Sequence, residues 1–230
     1  MAISRGLADV QGRVDAALSR ARRPQGAARL IAVSKTHPGS RVIEACQAGQ
    51  LRFGENRVQE ALAKQVEVEA ASEVPVEWHL IGPLQRNKAK QVVGRFELLH
   101  GVDSVRLIDE LNLRSAARAL TQPLLLQVRL GGESTKSGVE PAALPALVDH
   151  LLRCEHLELR GLMTIPPPVA VGSDARRWFA ELRQLAESER ERTGAALPEL
   201  SMGMSGDFEV AIEEGATLVR VGRAIFGERS

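Results

Sequence analysis

The chain has 230 residues, 44% hydrophobic and 26% charged, the makeup of a folded globular protein long enough to bury a core without staples. Thirty Lys+Arg against twenty-nine Asp+Glu leave a formal net charge of +1, which excludes a chain-wide cationic surface for nucleic acid. Cys46 and Cys154 are too few for a disulfide framework or a cysteine zinc site and fit a reducing cytoplasm; no apolar run reaches the roughly 18 residues of a membrane span, and no tyrosine is present to act as acid or base.

Taken in chain order, residues 3–23 place Ile3, Leu7, Val10, Val14, Ala17, Leu18 and Ala21 at helical spacing, and Pro24 and Gly26 stop that helix. Asp9 and Arg13 stand where a signal peptide would need its apolar stretch, and Arg20, Arg22 and Arg23 read as a solvated face. Short apolar runs then predict strands over 30–34, 51–54, 77–81, 97–102, 124–130, 158–164, 199–202 and 217–221. Amphipathic segments between them predict helices over 41–48, 58–70, 87–93, 105–120, 144–152, 175–192 and 207–214, with a final short helix after 223. Eight strands alternating with helices predict an α/β fold, a single (β/α)8 TIM-type barrel domain over 1–230 with an extra N-terminal helix. A doubly wound open sheet is the competitor, and no G-x-G-x-x-G follows the first strand to favour it. The run from Pro166 to Gly172 reads as a loop on the barrel rim.

Such a barrel gathers the residues at the carboxyl ends of its strands around one mouth. Here these are Lys35 and Thr36, Glu55 and Asn56, Asp103, Arg129, Met163 and Thr164, Ser205 and Gly206, and Gly222 and Arg223, with His79 inside the third strand. The small residues of 201–207 and 219–223 let backbone N–H groups approach an anion, with Ser205 adding a hydroxyl; they also suit plain tight turns. Segment 131–138 looks like a nucleotide loop, but Thr135 stands where that pattern needs Gly before the lysine, so Lys136 belongs to a polar rim loop. Lys35 follows the apolar run 30–34. A lysine desolvated there has a lowered pKa and forms Schiff bases with aldehydes; alternatively its ammonium reaches water or pairs with Glu55. Arg220 would hold the far nitrogen of a ring anchored between Lys35 and a phosphate site as an unprotonated acceptor, or else pair with Asp207, Glu209 or Glu213. The five histidines show no metal-ligand spacing, and Cys46 sits in an apolar helical run as a packed residue.

Several segments in order carry a family resemblance: Ala32-Val33-Ser34-Lys35-Thr36, Phe53-Gly54-Glu55-Asn56, Trp78 through Gln85, Lys136-Ser137-Gly138, Gly161 through Ile165, Ser201 through Asp207, Val219 through Gly222 and Ile225-Phe226-Gly227. On these the chain resembles the YggS/PROSC family of pyridoxal-phosphate homeostasis proteins, whose fold is similar to the N-terminal barrel of bacterial alanine racemase. The resemblance implies that Lys35 holds pyridoxal 5'-phosphate as a Schiff base. It implies further that Ser205, Gly222 and Arg223 take the phosphate, that Arg220 faces the pyridine nitrogen, and that Asn56, Met163 and His79 lie near the ring. The chain departs from the family's frequent Tyr at Arg57 and frequent Asn at Arg129.

Three functions follow for comparison. The first is a cytoplasmic, monomeric carrier that buffers the cofactor or hands it to apo-forms of the enzymes that use it, with no nucleic-acid or membrane partner. The second is an amino-acid racemase, but racemases of similar fold use a tyrosine base from a second domain, and this chain has no tyrosine. The third, a sugar-phosphate isomerase, would need a placed carboxylate and histidine and would leave Lys35 without a role.

Overall fold

Helical and strand periodicities alternate along the chain, and the computed structural model, which describes residues 2–71, 75–131, 137–167 and 172–227, follows them. First comes α1 (Ala2–Arg20), which buries Ile3, Leu7, Val10, Val14, Ala17 and Leu18 along one stripe. The barrel repeats are β1 (Arg29–Val33), α2 (Gly39–Gln47), β2 (Arg52–Glu55), α3 (Val58–Ala71), β3 (Glu77–Leu80), α4 (Ala89–Val92), β4 (Leu98–Val102) and α5 (Val105–Ala116). They continue through β5 (Gln122–Gln127), α6 (Leu144–Leu151), β6 (Leu157–Met163), α7 (Arg176–Thr193), β7 (Glu199–Ser201), α8 (Phe208–Glu213), β8 (Leu218–Val221) and α9 (Arg223–Phe226). All eight strands pair in parallel, each with its neighbour in sequence, and β8 closes on β1 through Arg29↔Leu218 to Ala32↔Val221.

Most expected elements shift by a residue or more at their edges, and the helix expected over 105–120 stops at Ala116. The helix expected over 87–93 is a single 3-10 turn at Arg86–Lys88 followed by the four-residue α4, which Gly94, at φ 70°, ends. The fifth strand starts two residues early, where the Gln122 side chain gives its N–H to Phe96 O and accepts the Gly94 N–H, and it ends three residues early at Gln127. The nucleotide-loop-like segment with Lys136 falls outside the described residues over 132–136, as does the proline-rich rim loop over 168–171.

The core divides in two. Alternate residues such as Leu30, Ala32 and Phe53 point outward and pack with the helices in one large cluster. Ile31, Leu98, Leu125, Met163 and Leu218 form a separate plug inside the barrel. Side chains alternate along a strand, so stepping two residues from each plug residue toward the carboxyl end climbs the barrel wall about 6.6 Å. That step leads from Ile31 to Val33 and on to Lys35, from Leu98 to His100, from Leu125 to Gln127, from Met163 to Ile165, and from Leu218 to Arg220 and Gly222. The inner face thus passes from an apolar plug to a mouth of mixed polar and apolar side chains.

Candidate cofactor site

Above the plug opens a cavity of about 840 Å³, lined among others by Lys35, Asn56, Ser205, Arg220, Gly222 and Arg223. Its volume is that of a small-molecule site.

Lys35 is half-buried just beyond β1, inside a turn in which the His37 N–H donates to Ser34 O at 3.1 Å. The turn puts Thr36 at φ 68°, a left-handed conformation that a β-branched residue resists at a cost of about 1–3 kcal/mol. Side chains from α3 hold it there. Lys64 Nζ donates to Ser34 O and to Glu55 Oε1, both at 2.7 Å, and to Glu60 Oε1 at 2.8 Å. Glu60 Oε1 also accepts the Thr36 N–H at 2.5 Å, and Ser34 Oγ donates to Glu55 Oε1 at 2.7 Å. Glu55, a candidate partner of Lys35 by sequence, therefore carries Lys64 and Ser34 on one oxygen, while its buried Oε2 has no hydrogen-bond partner. Burial pushes the Glu55 carboxyl above its ordinary range against the pull of Lys64 and Ser34. Burial also works to raise Glu60, but Lys64 and the Thr36 N–H outweigh it and hold that carboxyl below its ordinary range.

Across the mouth, the Met204 N–H donates to Asp207 Oδ1 at 2.6 Å, and the Asp207 and Phe208 N–H groups return to Met204 O at 3.1 and 2.9 Å. This closed turn presents Ser205 and Gly206 to the cavity ahead of α8. Burial raises the Asp207 carboxyl, opposed by the Met204 N–H and the Arg220 charge. At the end of β8, a Cβ on Gly222 would stand 3.0 Å from Val33 O, so the backbone there lies against β1 two residues before Lys35. Arg223 opens α9, a four-residue helix whose Ile225 and Phe226 N–H groups donate to Gly222 O at 2.9 and 3.0 Å. Lys35 after β1 and the Ser205, Gly222 and Arg223 positions after β7 and β8 thus stand around one mouth.

Arg220 is 4% exposed and lines the floor of the cavity. It donates to Ser201 Oγ at 2.5 Å and to Thr164 O at 2.9 Å; Glu209 and Glu213, its alternative partners by sequence, instead pair with Arg13 and with Arg20 and Arg176. Burial lowers its pKa to about 10 against the Asp207 charge, which leaves it protonated at neutral pH. Below it runs a buried chain: Ser201 Oγ lies 2.8 Å from His100 Nδ1, and His100 Nε2 lies 3.0 Å from His79 Nδ1. Arginine only donates, so the polarity of the chain is inferred from it: Ser201 O–H donates to His100 Nδ1, and His100 Nε2–H donates to His79 Nδ1. The last donor, His79 Nε2, is buried with no hydrogen-bond partner.

Burial, helped by the charges of Arg29 and Arg52, lowers His79 to about 3, and burial with His79 and Arg220 nearby carries His100 well below its ordinary value. Both are neutral in the fold, whereas an unfolded histidine takes its proton near pH 6.5. The unfolded state therefore binds more protons as pH falls from about 6.5 toward 3, and stability should fall by roughly 1.4 kcal/mol per pH unit for each histidine. The raised carboxyls Glu55 and Asp207 oppose this, because each takes up its proton in the fold before it would in the unfolded chain. Urea midpoints measured from pH 7 to 5 should fall, and His100→Gln should flatten the slope; a flat wild-type profile would contradict the neutral chain.

A profile of the alanine racemase N-terminal domain family matches residues 7–230. The chain belongs to that family. A pyridoxal phosphate homeostasis protein of Aquifex aeolicus is 44% identical over 223 residues, 97% of this chain and 96% of the relative. The solved structure of PipY from Synechococcus elongatus with PLP bound is 38% identical with a TM-score of 0.86, covering 98% of this chain and all of that one. An alanine racemase of Clostridium difficile in complex with cycloserine has a TM-score of 0.72 at 13% identity, covering 96% of this chain and 60% of that one, and so shares the barrel fold.

Within this family barrel, six of the eight residues expected at the site line the cavity: Lys35, Asn56, Ser205, Arg220, Gly222 and Arg223. His79 and Met163 are not among the lining residues. Both point inward as expected, but each lies one inward step too low; Ile81 and Ile165, two residues on, occupy the mouth level. His37 was passed over by sequence reasoning and lines the cavity, its ring stacked on Phe226 at 5.2 Å; its place two residues after Lys35 was the available signal. Arg129 lines the mouth and pairs with Glu140 at 2.5 Å, so its charge is shared with an outer carboxylate.

Proposed function

We propose that residues 1–230 act as one barrel domain that binds pyridoxal 5'-phosphate for homeostasis. The cofactor is held reversibly as a Schiff base on Lys35, then buffered or delivered to apo-forms of the enzymes that use it. The observation that carries the reading is the meeting, in one cavity, of a half-buried primary amine after β1 with a rim of hydroxyl, glycine backbone and arginine after β7 and β8. The Aquifex relative and the PLP-bound PipY structure support it.

The residues present fit the group. Lys35 offers an amine to an aldehyde, Ser205, Gly222 and Arg223 offer donors to a phosphate ester, Asn56 stands at the same mouth, and Arg220 offers a donor to a ring nitrogen. When bound, the cofactor supplies an aldehyde that condenses reversibly with amines and a ring that withdraws electrons. Arg220 keeps its own protons, so a nitrogen it faces remains an acceptor and the ring a weak electron sink. With no tyrosine in the chain to serve as an opposing base, this arrangement favours holding over turnover. Lys64 and Glu60 bond to the Ser34 and Thr36 backbone on either side of Lys35, and an apolar plug packs inside the barrel below. We take the protein to work as a monomer in a reducing cytoplasm, where Cys46 and Cys154 stay as free thiols. No helix among the described residues is long and apolar enough to cross a membrane.

The test is chemical trapping. Protein incubated with excess pyridoxal 5'-phosphate should develop a visible band that borohydride bleaches, and peptide mapping should place the reduced adduct on Lys35. A colourless protein, or an adduct spread over surface lysines such as Lys90, would overturn the proposal.

A further inference from the structure

We propose that Lys64 and Glu60 are positioning residues that aim the Lys35 amine by gripping the peptide unit on each side of it, an inference that rests on the reading of Lys35 as the cofactor lysine. The carbonyl of one unit belongs to Ser34 and accepts from Lys64 Nζ at 2.7 Å. The N–H of the other belongs to Thr36 and donates to Glu60 Oε1 at 2.5 Å. Between these two bonds lie only the backbone torsions of Lys35, so the direction of its Cα–Cβ bond is held from α3.

Lys64 is an unusual residue to find here. It is buried, as is its partner Glu55, and burying an ammonium is unfavourable unless every donor finds an acceptor. Its three donors meet three acceptors: Ser34 O, Glu55 Oε1 and Glu60 Oε1. A buried ion cluster stabilises a fold no better than well-packed apolar side chains of equal volume. Apolar side chains could not bond to the two peptide units beside Lys35, and this is what the cluster does. A second observation points the same way. Thr36 sits at φ 68°, and a strained residue persists only where its surroundings over-determine it. The bond to Glu60 and the bond from Lys64 to the head of the turn supply that constraint. Half-buried Glu60 and buried Lys64 therefore act as one clamp on a strained loop.

The experiment uses the full-length chain and two readouts. In cofactor-free protein, competitive acetylation with trace acetic anhydride, read by mass spectrometry, compares the labelling rate of Lys35 with that of the exposed Lys90. In cofactor-loaded protein, loss of the visible band after dilution measures retention. Lys64→Met should change the Lys35 labelling rate and shorten retention by about tenfold each, the scale expected when a supporting contact lets a reactive group drift, while Lys90 labelling stays within about twofold. Adding Thr36→Gly, which removes the strain the clamp opposes, should restore both readouts to within about threefold.

A folded Lys64→Met with wild-type labelling and retention would overturn the proposal. So would equal changes at Lys35 and Lys90, or a failure of Thr36→Gly to restore either readout. Should Lys64→Met not fold, Glu60→Ala, whose side chain reaches solvent, carries the same test in the same direction, and unchanged Lys35 labelling there would overturn the clamp. If the wild type forms no adduct on Lys35 while Lys64→Met still shifts Lys35 labelling, the cofactor reading falls and the clamp stands.

Discussion

Lys35→Ala should abolish the borohydride-stable adduct and the visible band while its Tm stays within about 3 °C of wild type. The chemistry needs a primary amine that can approach an aldehyde within the cavity, and Lys35 is a lining residue of the right type. Lys64, the nearest lysine along the same network, cannot replace it, because its three donors are committed to Ser34, Glu55 and Glu60. The fold should survive because Lys35 stands beyond the end of β1 and belongs to neither apolar cluster. Ser205, Gly222 and Arg223, proposed to take the phosphate, are untouched, so weak non-covalent binding should persist. Loss of the covalent link should lower retention by roughly a hundredfold, or about 3 kcal/mol. Equilibrium dialysis and visible spectra of the two proteins check this directly; a coloured Lys35→Ala protein would remove the lysine from its assigned role.

Gly161→Ala should produce the largest loss of stability, more than about 4 kcal/mol, or prevent folding altogether. Gly161 pairs with Glu199 between β6 and β7 and has φ 150°, and a Cβ built there would stand 1.9 Å from Glu199 O. The obstacle is backbone on a closed barrel wall, so no side chain can rotate away to admit it. The β5–β6 register also shifts beside this point, between Leu124 and Leu125, which shows how local geometry there is bent to let strands approach. Gly12→Ala provides the contrast: it lies in the middle of α1 with nothing within 4 Å of its added Cβ, and should gain about 0.5–1 kcal/mol. Urea unfolding followed by far-UV circular dichroism would separate the two. A Gly161→Ala protein as stable as the wild type would contradict the strand approach.

Much of the fold was legible in the chain. Eight apolar runs and the amphipathic stretches between them mark the β/α alternation, since a strand buried on both faces needs a continuous apolar run and an outer helix needs one apolar stripe. Lys35 was legible for a similar reason: a lysine directly after an apolar strand must end at a mouth or be buried, and either outcome makes its amine notable. Glycines and Ser205 before short helices likewise marked positions that line the cavity. The clamp was not legible. Lys64 and Glu60 stand four residues apart on α3 and look like an ordinary surface pair, and only the approach of α3 to the β1 turn converts them into partners of the Ser34 and Thr36 backbone.

His79 and Met163 mark the boundary between the two kinds of information. Alternation along a strand is a local property of an extended backbone, so the sequence alone determined that both point into the barrel. It likewise determined the strand count, the outward apolar faces and the lysine at the end of β1. How high each inward residue stands depends on the stagger between neighbouring strands, which is set only when all eight close on one another. Closure left His79 and Met163 below the cavity, raised Ile81 and Ile165 to its wall, and joined His79, His100, Ser201 and Arg220 into one buried chain from four different strands. Contacts between residues far apart in the chain have no local signature, and tertiary structure alone decided them.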